Sequence, residues 1–285
     1  MNYVLLAIVT ICCSVQQIFK KAYNVKKVGN VFVFSAASAF TAMIFFVISS
    51  KGVFTILPPK VLPYSICFAM AYCLSTTTSM IAIKLGPLSI SSLITSYSLI
   101  IPTFYGFIIL EEPLKLWLMF GIILLLISLF FINREKQGEE KKITFKWCIF
   151  AFLSFIGNGM LSIIQKAHQT EFDGMYKNEF MIIALLITSL VLVIIAIIYD
   201  REKAFTGLKK GFWLYTGCGV ANGIVNLLVL ILSGKMPASV MFPVISAGGV
   251  LMAAFVSVFI YKEFLSKTQW LGLMIGTVSI VLLNI

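Results

Sequence analysis

Ten apolar blocks, each close to the roughly 20 residues that a helix needs to cross a bilayer, take up almost the whole chain. Breaks at polar or Pro/Gly clusters put them near residues 2–22, 29–49, 62–83, 88–109, 115–132, 146–166, 178–199, 211–233, 238–260 and 268–284. With 60% hydrophobic and only 12% charged residues, the chain lacks the roughly 25% charged residues that clothe a soluble domain. The sequence therefore predicts an all-α, multi-pass integral membrane protein of ten transmembrane helices, in an inner or plasma membrane. Residues 2–22 carry no basic leader and no small-residue cleavage site, so they read as a retained first helix. The thinnest boundary is Lys84-Leu85-Gly86-Pro87, read as a tight turn because Gly and Pro punctuate helices.

The chain also echoes itself. At a constant offset of 151, Lys84 recurs as Lys235, Glu112 as Glu263, Gly121 as Gly272, Ser128 as Ser279 and Asn133 as Asn284. Upstream, Tyr64 and Cys67 recur as Tyr215 and Cys218. Polar and Gly matches in register carry weight in a chain where Leu and Ile matches do not. The predicted organisation is a five-helix repeat over 1–133, a charged linker over 134–145 and a second five-helix repeat over 146–285. Five is odd, so the two copies are expected to be inverted, an arrangement that carriers use to build a site at the bilayer midplane.

The net charge of +11 does not point to nucleic acid, because the Lys and Arg residues sit between the apolar blocks. Loops after the odd-numbered spans hold sixteen of them and loops after the even-numbered spans six. The richer side should be cytoplasmic, which puts both termini outside. The six cysteines fall inside or at the edge of apolar segments with no CxxC pair, as small hydrophobic residues would.

Ile108-Ile109-Leu110-Glu111-Glu112-Pro113, followed by an apolar helix containing Gly121, is echoed by Phe259-Ile260-Tyr261-Lys262-Glu263-Phe264 and Gly272. A Glu-Pro-like turn before a Gly-containing fifth helix in each repeat resembles the ten-helix, EamA-like carriers of the drug/metabolite transporter superfamily. The second copy departs from that pattern at Phe264, where Pro is usual. The resemblance implies a transporter with cytoplasmic termini, against the charge count, and is silent on substrate. Small four-helix multidrug members of that superfamily use a Glu in their first helix. This chain has Gln16 and Gln17 at the corresponding place, which argues against carboxylate-based drug/proton exchange.

No span holds an Asp or Glu away from its ends, whereas intramembrane carboxylates are the usual proton relays and cationic counter-ions. The spans carry neutral polar residues at helical spacing instead. Gln16 and Lys20 lie four apart in span one, Asn158, Ser162 and Gln165 share a face of span six, and Asn222 and Asn226 lie four apart in span eight. Same-face spacing and the cost of an amide in lipid turn these faces inward, either to bond between helices or to line a cavity. The hydroxyl-rich span four, with Tyr97 and Pro102, and its mate span nine, with Pro243 and Ser246, read either as bending helices that open and close a path or as simple packing kinks. The expected substrate-binding set is Gln16, Lys20, Tyr97, Asn158, Ser162, Gln165, Asn222, Asn226 and Ser246.

Lys20 or Lys21 and Lys166 read either as snorkelling residues or as cations for an anionic group, and His168 either as a solvated helix-end residue or as a group for proton exchange. Gly219-x-x-x-Gly223 and Gly272-x-x-x-Gly276 are close-approach faces, internal by default, with a homodimer seam at Gly272 and Gly276 as the other reading. No Walker A sequence, H-E-x-x-H, G-x-S-x-G or metal-spaced His/Cys cluster is present, so neither enzyme activity nor a cofactor is expected. The expected function is a secondary transporter moving a small polar metabolite, amino-acid-like or an organic anion, by alternating access. Export of cationic drug-like or quaternary amine compounds, which aromatic faces could hold, and a non-transporting scaffold or sensor are the alternatives.

Overall fold

The computed structural model describes residues 2–26, 28–52, 58–85, 94, 97–113, 116–133, 144–259 and 266–283. These residues form ten helices: α1 (Asn2–Val25), α2 (Val31–Ser49), α3 (Val61–Leu85), α4 (Ile100–Ile108), α5 (Leu116–Asn133), α6 (Phe145–Glu171), α7 (Lys177–Lys210), α8 (Phe212–Ser233), α9 (Ala238–Phe259) and α10 (Lys267–Leu283). Stretches of α1, α2, α3, α6, α7 and α8 are long and apolar enough to cross a membrane, and 116–131, 238–249 and 267–283 are shorter apolar helices. The hydroxyl run at Ser89–Ser96 (Ile94 apart), most of the charged linker and the second Glu-containing turn at 260–265 lie outside the described residues, as do Gly86, Pro87 and Asn284.

Polar residues mark where the helices start. The Asn30 side chain accepts from Phe32 N at 2.8 Å ahead of α2, and Trp147 N donates to Thr144 Oγ1 at 3.3 Å ahead of α6. Ser266 and Gln269 form a reciprocal capping box on α10, Gln269 N donating to Ser266 Oγ and Ser266 N to Gln269 Oε1. The most elaborate start is that of α9. Both carboxylate oxygens of Glu112 accept there, from Ala238 N at 2.6 Å, Ser239 N at 2.8 Å and Ser239 Oγ at 2.5 Å. A carboxylate at a helix N-terminus satisfies orphan N–H groups and opposes the positive end of the dipole. This assigns a structural task to the acid of the Glu-Pro turn, in which Glu111 takes a left-handed backbone with φ 53°.

Two helices outrun the spans read from sequence. α6 continues to Glu171 rather than stopping at 166, and α7 extends to Lys210 across a break at Asp200 (φ −165°, ψ 94°). Asp200 caps a fresh helical segment: its carboxylate accepts from Lys203 N at 3.0 Å and pairs with Lys203 Nζ at 2.8 Å.

The chain folds into two compact units that interleave its halves: Met1–Cys73 with Ile164–Gly234, and Leu74–Ile163 with Lys235–Ile285. In the first, α2 packs on α7 and α8, and α1 packs on α8. Gly219 and Gly223 let α8 approach α2, since a Cβ at either would collide with Thr41 and the Ser38 carbonyl or with the Phe45 ring. Phe46, Phe68, Phe180, Leu192 and Leu230 fill the core of this unit. In the second, α10 packs on α5 and α9, and α4 on α9.

The α5–α10 contact holds a pair of twin hydrogen bonds. Ser128 Oγ donates to Gly272 O at 2.6 Å, and Ser279 Oγ donates to Gly121 O at 2.7 Å. Ser128 and Ser279 are 151 apart, as are Gly121 and Gly272. A Cβ on Gly276 would meet Ser128 Oγ at 2.6 Å, so the Gly272–Gly276 face is taken by α5 of the same chain.

Candidate functional site

The amides singled out by spacing on α6 and α8 meet within the first unit. Gln165 Nε2 donates to Asn226 Oδ1 at 2.7 Å, and Asn226 Nδ2 donates to Asn222 Oδ1 and to the Asn222 carbonyl, both at 2.9 Å. The Tyr72 hydroxyl on α3 interacts with the Asn222 side chain. Gln165, Asn222 and Asn226 are all buried. A buried amide without partners is costly, and here each amide relieves the next. The result is a directional chain: Gln165 supplies an acceptor, Oε1, at one end, and the other ends where the Asn222 amide meets the Tyr72 hydroxyl, whose O–H is a donor. Such an array can bind a solute that both donates and accepts hydrogen bonds, such as one bearing an amine and a carboxylate.

The other half of the α6 face belongs to the second unit. Asn158 Nδ2 donates to Ser98 Oγ at 2.6 Å, just ahead of α4. Gly159 lets α6 lie against Ile101, whose side chain occupies the space of a Cβ at that position. Ser162 and Ser246 are half-buried, on α6 and α9. Tyr97 is tied to backbone: its hydroxyl donates to Leu126 O of α5 at 2.8 Å. On α1, in the first unit, Gln16 is half-buried and Lys20 exposed.

Two residues differ from expectation because α6 runs further than its apolar block. Lys166 does not snorkel: it is 8% exposed, and its ammonium donates to Ser233 O at 2.8 Å, at the C-terminal end of α8. The negative end of a helix dipole suits that cation. His168 is not solvated either. It is 0% exposed, stacked on Phe180 at 4.2 Å between ring centroids and flanked by Tyr64 and Phe172. Its Nδ1 pairs with Gln169 Nε2 at 2.8 Å, and its Nε2 has no hydrogen-bond partner.

Sequence reading missed Tyr72, Ser98 as the partner of Asn158, and Ser233. For Tyr72 a signal existed, since a tyrosine inside an apolar span needs something for its hydroxyl to bond. A cavity of about 320 Å³ at the α6–α7 turn, lined by residues 174–179, contains none of the expected site residues. Among the described residues no group of three or more His, Cys, Asp or Glu side chains is placed to hold a metal.

The EamA-like transporter family matches residues 145–285. No curated protein matches the chain. A solved structure of 11% identity superposes with a TM-score of 0.82, covering 99% of this chain and 95% of its own. At that identity the likeness is one of fold.

Proposed function

Because residues 145–285 match the EamA-like transporter family, we propose that this chain is a transporter of the drug/metabolite superfamily, a secondary carrier moving a small polar metabolite by alternating access. The substrate class is amino-acid-like or organic-anionic. The observation that carries this reading is the Gln165–Asn226–Asn222 chain, a buried array of neutral donors and acceptors in spans with no acid away from their ends. Such a site pairs with a zwitterion or carboxylate, whereas a lone cation would look for a carboxylate.

In this reading ten spans form two inverted five-helix repeats, 1–133 and 146–285, joined by the charged linker, and one rocks against the other. The twin bonds of Ser128 and Ser279 support it, because two-fold-related copies exchange equivalent contacts at their axis. The proposed substrate-binding residues also include Gln16, Lys20, Tyr97, Asn158, Ser162 and Ser246.

Uptake into proteoliposomes tests the assignment, with amino acids, organic anions and a quaternary amine offered in turn. We expect uptake from the first two groups, reduced by Gln165→Ala and by Asn158→Ala. Uptake unchanged by both substitutions would sink the site assignment. Uptake of the quaternary amine alone would overturn the substrate class.

A further inference from the structure

The segment after Asp200 belongs to neither the amide chain nor the twin-bond seam, and its construction is unlike the rest of α7. Apolar residues dominate Phe180–Tyr199; then Asp200 leaves helical geometry and caps a new helical stretch. In that stretch four basic residues, Arg201, Lys203, Lys209 and Lys210, are exposed beside a single acid, Glu202, together with Phe205 and Leu208. Phe212 and Trp213 follow at the start of α8, both exposed, Trp213 at 81%. The Arg201 guanidinium lies 5.8 Å from the centre of the Phe205 ring.

The opposite face of the stretch is small and buried. Ala204, Gly207 and Gly211 are buried at helical spacing. Gly207 and Gly211 pack on Tyr23, and Gly29 lies against Gly207. Asn30 fastens the α1–α2 corner on both sides of the break: its Nδ2 donates to Ala196 O at 3.1 Å and its N to Lys203 O at 3.3 Å. The exposed Lys26 of that corner therefore joins the same end of the first unit. An interfacial helix has this composition, with aromatic and aliphatic side chains for the acyl boundary and basic ones for the headgroups. Loops after spans one and seven also fall on the side richest in Lys and Arg, and basic residues at a membrane surface attract anionic headgroups.

We propose that residues 201–213, with Lys26, form a docking surface for anionic phospholipid headgroups. Asp200 ends the membrane crossing, and the new helix lies along the interface, with its small face on Tyr23 and Gly29. Arg201, Lys209 and Lys210 bind the phosphates, while Lys203 is largely balanced by Asp200. Phe205, Phe212 and Trp213 sit at the acyl boundary. The proposal rests on the membrane character of the chain and not on its substrate, so it stands or falls apart from the transport reading.

Thermal unfolding of the purified full-length protein in neutral detergent, titrated with phosphatidylglycerol, phosphatidylcholine or inorganic phosphate, tests this. We expect phosphatidylglycerol to bind at least about tenfold more tightly than phosphatidylcholine, with that preference weakening as salt is raised. Inorganic phosphate should leave the unfolding temperature unchanged. Arg201→Ala/Lys209→Ala/Lys210→Ala should abolish the preference, and the arginine-for-lysine variant Lys209→Arg/Lys210→Arg should keep it. Lys51→Ala/Lys60→Ala, beyond the far end of α2, should also keep it. Equal response to the two lipids in wild type, or a preference untouched by salt, overturns the proposal whether or not the triple variant folds. A preference lost equally in Lys51→Ala/Lys60→Ala also overturns it, because net charge rather than this surface would then be responsible.

Discussion

The α5–α10 seam and the α6–α8 amide chain are both buried polar contacts between helices, yet they relate to the 151-residue offset in opposite ways. Every partner in the seam has a twin 151 residues away, and the bonds come as a matched pair, Ser128 to Gly272 and Ser279 to Gly121. In the chain the register positions of Gln165, Asn226 and Asn222 are Ser14, Ser75 and Ala71. A serine hydroxyl bonding a carbonyl of the facing helix is short, closed and repeatable. A row of amides has direction and keeps an acceptor at one end and a donor at the other. The residues matched at that offset hold helices together; in the proposed reading the unmatched amides are the ones that meet a solute.

The strongest way to break this contrast is to make the chain look like its twin. Asn226→Ser installs the residue found at Ser75 and removes the middle link, separating Gln165 from Asn222. We expect initial uptake rates in proteoliposomes to fall more than about tenfold, equivalent to roughly 1.4 kcal/mol in the barrier. The protein should still elute as a folded, monodisperse species. Rates within a factor of two of wild type would make the chain a packing device like the seam.

Next in size is a steric insult to the seam itself. Gly276→Leu drives a side chain into Ser128, where even a Cβ would come within 2.6 Å of Oγ. Overpacking of this kind costs about 1–3 kcal/mol, read as a lowered unfolding temperature. Uptake per folded molecule should hardly move, the reverse of Asn226→Ser. A variant as stable as wild type would show that α5 and α10 separate easily.

Much of the first pattern was visible in the sequence, because amides spaced three or four residues apart in apolar blocks leave few alternatives to an inward face. Gln165, Asn222 and Asn226 were found in this way, and Asn158 with them. What periodicity could not supply was the far end of α6. A basic residue at the end of a long, mostly apolar stretch reads as the water-facing end of a span. Lys166 and His168 are nevertheless enclosed, by Ser233 from α8 and by Tyr64 and Phe180 from α3 and α7. Those partners are distant in sequence and bring no local signal. Asp200 was likewise legible as an end but not as a beginning, since its capping role shows only in backbone angles and in the bond from Lys203 N.

Glu112 allows a finer comparison, since its motif is duplicated but its contacts are electrostatic. Glu112→Gln keeps the shape and one acceptor oxygen while removing the charge from the α9 N-terminus. Loss of a cap costs about 0.5–2 kcal/mol, and loss of a charge at a helix dipole about 0.3–1 kcal/mol. We expect a stability loss near 1 kcal/mol, combining part of each. Rescue by Glu112→Asp should be poor, because the shorter side chain does not span to both Ala238 N and Ser239 N. Full rescue would mean that charge alone matters and the two-oxygen geometry does not.

The smallest effect gives the sharpest test of symmetry. Hydrogen bonds between membrane helices average about 0.6 kcal/mol and reach about 1.7 kcal/mol, so Ser128→Ala and Ser279→Ala should each cost little. Their sizes matter less than their ratio. Both bonds join a serine to the carbonyl of a glycine, at 2.6 Å and 2.7 Å, and both serines are buried. Twin environments predict equal losses in equilibrium unfolding, and the double variant should lose the sum, since neither bond uses a group of the other. Unequal losses would show that the two ends of the seam differ in packing despite matched residues. A double variant much worse than the sum would mean that one bond holds α5 and α10 in register for the other, and the seam would then act as a single unit.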